Sequence, residues 1–236
     1  MIAAVDHFVL AGSGKAYEAL IGRCIEGSRL QTANVGLTFG RGTAPLSSIV
    51  FATPSLDKAK RLLERRGVAT TRNDILQLAS EATHGVPIGV VERQAPPPPS
   101  PAIEDEAAAI TSLDHVVIRS PNPERAVALY AGRLGLDLRL DRSNPAWGSR
   151  LLFFRCGDLV VEIAHDLARG VSAGPDELWG LGWRAADIGK VHARLEAAGV
   201  DVSEVRDGRR PGSQVFTVKS HTEGVPTIVI GGIGRW

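Results

Sequence analysis

Cysteine, net charge and long apolar runs are what this chain has least of, and each shortage closes off a class of protein. Its two cysteines, Cys24 and Cys156, lie far apart in otherwise ordinary segments. Neither a disulfide framework nor a cysteine-rich metal cluster is therefore expected, and both read as reduced packing thiols. Lys and Arg number 27 against 26 Asp and Glu, so no overall field draws the chain to nucleic acid or to an anionic membrane surface. No stretch approaches the roughly 18 consecutive apolar residues of a membrane span. The opening MIAAVDHFVLAGSGK also has no basic segment ahead of an apolar one, which sets the expectation of a cytoplasmic chain with no membrane partner. Nucleotide and hydrolase signatures are missing as well. AGSGK at 11–15 lacks the four residues that separate the glycines of a phosphate loop, and neither G-x-S-x-G nor HExxH occurs.

What is present is the composition of an ordinary globular protein, 44% hydrophobic and 22% charged over 236 residues, enough for two compact domains with cores of their own. The run APPPPSP at 95–101, followed by an acidic, alanine-rich stretch to Ala109, marks where they divide. Consecutive prolines neither continue a helix nor donate to a strand ladder, and they favour an extended spacer. The reading is a domain at 1–94, a Pro/Ala-rich linker at 95–110 and a second domain at 111–236.

The second domain spells one unit twice. LDHVVIRS (113–120) is a strand, and PERAVALYAGRL (123–134) spaces Ala126, Leu129, Tyr130 and Leu134 for a helix that Gly135 ends. DLRLDR, SRLLFFRCG and LVVEIAH are three further strands separated by turn-formers. The order β-α-β-β-β then returns as ELWGLGWRAAD, the helical IGKVHARLEAAGV, and VSEVRDG, SQVFTVKS and PTIVIGG. The first domain carries a worn copy: AAVDHFVLA, a helix at 15–25, LQTANVGLTFG, LSSIVFATP, the helix LDKAKRLLERRGV, DILQLAS and VPIGVVER, with one strand lacking in its first module. Two echoes tie the halves together. Val5-Asp6-His7 answers Leu113-Asp114-His115, and His84-Gly85-Val86-Pro87 answers Glu223-Gly224-Val225-Pro226.

The segments at 113–138, 151–165 and 183–202 resemble the glyoxalase/bleomycin-resistance/extradiol-dioxygenase, or vicinal-oxygen-chelate, superfamily. The first domain resembles it only weakly and is expected to be degenerate. The resemblance implies an α+β fold of tandem βαβββ modules, forming curved mixed β-sheets in two domains with helices on the outer face. It also implies a small-molecule ligand, with no nucleic acid, held on the concave side. Related proteins pair modules across chains, so the resemblance admits a homodimer. It further implies a divalent ion (Zn, Fe, Ni or Mn), with His115 as the first ligand and Glu162 as the second. Imidazole and carboxylate suit ions that polarise a carbonyl, enediolate or catechol oxygen. The third and fourth ligand positions fall at about Gly180 and Val229, which cannot bind metal, so a site without any ion is the other outcome.

Several other residues are candidates for such a site. Glu162 and His165, at the end of VVEIAH, are the acid/base candidates. Trp147, Trp179 and Trp183 cluster around the segment between modules, and the latter two, four apart on a strand, offer an aromatic wall. Arg150 and Arg155 are candidates for binding a carboxylate or phenolate, although their spacing on one strand lets only one face the cavity. His7 reads as a strand histidine, His84 and His221 as loop residues, and His192 as a solvent-facing helix residue. Two functions follow. One is an enzyme of the glyoxalase or dioxygenase kind acting on a small oxygenated metabolite; the other is a metal-independent binding protein that sequesters one.

Overall fold

The structure is a computed structural model and describes residues 2–232. The first half runs β1 (Ala4–Ala11), α1 (Lys15–Ile21), β2 (Arg29–Gln31), β3 (Gly36–Gly40), β4 (Leu46–Thr53), α2 (Leu56–Arg65), β5 (Thr70–Arg72), β6 (Leu76–Leu78) and β7 (Ile88–Glu92). The second half begins with β8 (Ile110–Arg119), α3 (Pro123–Val127), β9 (Asp137–Asn144), β10 (Ser149–Cys156) and β11 (Leu159–Asp166). It ends with β12 (Glu177–Ala185), α4 (Ile188–Ala197), β13 (Arg206–Asp207), β14 (Gln214–Val218) and β15 (Thr227–Gly231). Strands β1 to β7 belong to a mixed sheet of seven and β8 to β15 to one of eight. This is the α+β arrangement of repeated βαβββ modules, with the first module one strand short.

The helices start where the sequence provides caps. Ser55, Asn122 and Asp187 each accept a hydrogen bond from the backbone N–H three residues on, satisfying a donor that the first turn leaves open. The helix expected over 123–134 is α-helical only to Val127 and continues as a π-helical turn over Ala128–Arg133, closed by the Leu134 N–H on the Leu129 carbonyl at 2.9 Å. The turns before β7 and β15 share one geometry. His84 and Gly85, like Glu223 and Gly224, have positive φ, and the Val86 and Val225 N–H groups donate to the carbonyls of Thr83 and Thr222.

The chain forms two compact units, one of Met1–Asp6, Ser48–Ala95 and Val116–Trp179, the other of His7–Ser47, Pro96–His115 and Gly180–Trp236. In the first, β7 lies parallel to β4 and antiparallel to β6, which pairs with β5. Strand β10 runs antiparallel to both β9 and β11, with a bulge between Phe153 and Phe154. Its core holds Phe51, Leu63, Tyr130, Phe154 and Ile163. In the second unit, β3 is parallel to β1 and antiparallel to β2, and β15 is parallel to β12 and antiparallel to β14. Tyr17, Leu37, Trp183, Leu195 and Phe216 fill its core.

The proline-rich segment is pinned to the second unit. The Ser100 N–H donates to the Gln31 carbonyl, and Ser100 Oγ accepts from the Gln31 N–H. Arg23, 2% exposed, donates to the carbonyls of Ser100 at 2.8 Å and Ile110 at 3.0 Å and pairs with Glu106. His192 departs from its reading as a solvent-facing residue. Its ring meets Phe216 edge-on at 5.0 Å, and Nε2 donates to the Ser203 carbonyl at 3.0 Å. Glu196, one turn further on, meets the other ring nitrogen, with its Oε2 3.2 Å from Nδ1. Among the described residues no helix is long and apolar enough to cross a membrane.

Candidate functional site

Each module places a particular residue seven positions ahead of its helix cap. Counting back from Gly14, Ser55, Asn122 and Asp187 gives His7, Ser48, His115 and Gly180. His115 has a built environment. Its Nδ1 lies 2.9 Å from Asp114 Oδ2, and Asp114 Oδ1 accepts from Arg184 Nε at 2.8 Å. Because the partner of Nδ1 is a carboxylate, that nitrogen carries the hydrogen, and Nε2 is the basic nitrogen of the ring.

Asp114 is 1% and Arg184 8% exposed. Burial alone would raise the Asp114 carboxyl, but the hydrogen bond and charge of His115, joined by those of Arg184, outweigh it and hold the group below the usual carboxylate range. Room for the imidazole comes from Gly182, where an added Cβ would stand 2.2 Å from His115 Cε1 and 2.6 Å from Nε2. The sequence marked Asp114 only through the repeated Asp-His pair. The pairing of Arg184 with Asp114 and the role of Gly182 have no local signal, since their partners lie far off in the chain.

In the first half the corresponding acid has a different cation. Asp6, 5% exposed, pairs with Arg93, just beyond the end of β7. Position 52, which corresponds to Arg184 when the caps Ser55 and Asp187 are aligned, is alanine. The corresponding buried carboxylates are thus paired with arginines from different places in the two halves.

Glu162 is half-buried on β11 opposite Phe153 of β10 and belongs to the first unit, His115 to the second. His165 lies on the other face of β11, 4% exposed, with Nδ1 donating to the Ser120 carbonyl at 3.0 Å. It lines a cavity of about 600 Å³ where β8 and β11 end and β10 begins, together with Trp147, Arg119 and the loop after β11. Trp147 is 44% exposed and carries Arg142 over its ring at 5.1 Å. Trp179 is half-buried with the Arg119 guanidinium 4.1 Å above it. Trp183 is fully buried. Arg150 is engaged by Asp141 at 2.6 and 2.8 Å and by Glu124 at 2.7 Å. Exposed Arg155 reaches the Gly157 carbonyl. Neither arginine lines the cavity. Burial pushes the Cys156 thiol up to about 12, which makes it a poor nucleophile.

The donors present do not fit the four-ligand ion that the resemblance implies. At Gly180 an added Cβ would fall 2.9 Å from the Pro226 carbonyl oxygen, and Val229 is apolar and fully buried. Among the described residues no group of three or more His, Cys, Asp and Glu is placed to hold a metal ion.

Residues 114–217 match the family model for the Glyoxalase/Bleomycin resistance protein/Dioxygenase superfamily. Three solved dioxygenases share the fold over nearly its whole length. A catechol 2,3-dioxygenase is 16% identical, covers 99% of this chain and 89% of its own, and has a TM-score of 0.71. The 2,2',3-trihydroxybiphenyl 1,2-dioxygenase of Sphingomonas wittichii strain RW1 is 15% identical, covers 100% and 92%, and scores 0.70. BphC, a halotolerant catechol dioxygenase, is 13% identical, covers 100% and 89%, and scores 0.69. The protein therefore has the two-domain glyoxalase-like fold. No curated protein matches it.

Proposed function

We propose that this chain binds a small oxygenated metabolite at its C-terminal sheet and moves a proton on it with His115, without a resident divalent ion. One observation carries the reading: Asp114, itself held by Arg184, fixes the His115 imidazole in the gap that Gly182 leaves. A carboxylate that holds Nδ1–H sets the tautomer and steadies the ring when Nε2 gains a proton. Such a group can deprotonate an acidic hydroxyl or a C–H beside a carbonyl. The lack of donors at Gly180 and Val229 supports the ion-free form of the site. It also favours a second reading, a binding protein that sequesters the metabolite.

Elemental analysis of the purified protein tests the ion-free reading. Zinc, iron, nickel and manganese are each expected well below one equivalent, and unchanged in the Glu162→Ala variant. One equivalent of any of them, lost on His115→Ala, would overturn it. Catechol, named for two of the structural neighbours, serves as the probe ligand. Binding that disappears in His115→Ala supports the site, and binding without turnover supports the sequestering form.

We also propose that the domain boundary lies within 95–110. The division of β1–β7 and β8–β15 between two sheets supports it. Residues 111–236 made alone should melt in one cooperative transition by circular dichroism. The fragment should be less stable than the whole chain, because Arg194 loses the carbonyls of Ala19 and Leu20. A broad, non-cooperative melt would refute the boundary.

A further inference from the structure

The cavity at the end of β8 and β11 has a chemistry that the His115 reading does not use. Trp147, a large apolar side chain that is 44% exposed, is part of its lining. The Leu167 N–H donates to the Gly148 carbonyl at 2.9 Å, which holds the loop after β11 against the β9–β10 turn that carries Trp147. The volume, about 600 Å³, is of the size that takes one ring-bearing small molecule.

The charges in this cavity are unequal in their freedom. Asp166 is engaged by the Ala168 N–H at 2.9 Å and by Arg169 at 3.3 Å, so those two charges offset one another. Arg119 has no ion pair among the described residues; its guanidinium lies flat on Trp179. Stacking occupies a face of the guanidinium and leaves its edge N–H groups, the fork that receives a carboxylate, to the cavity. Exposed Glu177, two residues before Trp179, is the opposing charge. His165 uses Nδ1 on Ser120, which leaves Nε2 as an acceptor for a ligand hydroxyl.

We propose that this cavity binds a small planar carboxylate, the anion on Arg119 and the ring against Trp147. The proposal draws on neither His115 nor the question of an ion.

Calorimetric titration of the full chain with benzoate, its neutral isostere benzamide and the ringless acetate tests it. Benzoate should bind about tenfold or more tightly than either control, the range of a charge-assisted hydrogen bond. Arg119→Gln should bring benzoate down to the level of benzamide. Trp147→Ala should weaken benzoate by about fivefold and leave acetate unaffected. Glu177→Gln should tighten benzoate, because it removes the opposing charge. All three substituted side chains lie on the surface or at the rim, and an unchanged melting temperature shows that each variant is folded. Equal binding of benzoate and benzamide, full benzoate affinity in Arg119→Gln, or no binding of any probe would each overturn the proposal.

Discussion

Adding a single methyl group at position 182 should destabilise the protein by about 1–3 kcal/mol, the usual cost of overfilling a packed site. The Cβ of Gly182→Ala would overlap the His115 ring, at 2.2 Å from Cε1, 2.6 Å from Nε2 and 2.7 Å from Nδ1. Gly182 does not have the positive φ of the turn glycines, so the penalty is steric and arises from one identifiable neighbour. This makes it reversible by design. In a His115→Ala background the same methyl group finds space, and Gly182→Ala should then cost nearly nothing. A double-mutant cycle measured by urea denaturation should return a coupling energy of about 1 kcal/mol or more. Simple additivity of the two substitutions would mean that the ring does not rest on Gly182, and the positioning of His115 would fall with it.

The glycine shows why the site was only partly legible in the sequence. The Asp-His pair could be read because it occurs twice, on β1 and on β8. The module order, most strands and the caps at Ser55, Asn122 and Asp187 follow from alternation, helical spacing and cap chemistry, all local properties. Strand β5, Thr70–Arg72, gives no apolar signal, because its residues are polar and it pairs only with β6. Gly182 and Arg184 take their meaning from residues some seventy positions earlier, and no local pattern announces such a partner. Arg119 looks like an ordinary charge at the end of a strand until its stacking on Trp179 is known. Arg150 and Arg155 carried the stronger sequence signal for a cavity cation, yet their neighbours engage Arg150 with two carboxylates and Arg155 with a carbonyl.

The two buried carboxylates extend this point to energetics. Asp6 and Asp114 occupy corresponding places, yet one is answered by Arg93, just beyond β7, and the other by Arg184 on β12. A buried carboxylate retains its charge only if a cation and hydrogen bonds replace the water it has lost. The acid is thus present in both halves, with its cation at a different place in each.

Asp114→Asn should therefore be the most costly conservative change in the C-terminal domain, at about 3–5 kcal/mol near neutral pH, the range for removing one partner of a buried ion pair. The side chain keeps its size, but the charge facing Arg184 Nε at 2.8 Å is gone and the acceptor for His115 Nδ1–H is weakened. The pH dependence distinguishes this loss from a packing defect. The Asp114 carboxyl is held below its ordinary value in the folded chain, whereas in the unfolded chain it titrates near 3.9. A depressed folded value means that the carboxylate stabilises the fold fully above the unfolded value, and that this contribution fades as the pH falls through the lower, folded one. The difference in unfolding free energy between the wild type and Asp114→Asn should be constant above about pH 5 and should shrink steadily as acid is added below about pH 4. Urea titrations at a series of pH values measure it. A gap that stays the same down to the acid limit would show that the cost comes from the shape of the side chain rather than its charge, and the Arg184–Asp114–His115 relay would lose its electrostatic basis.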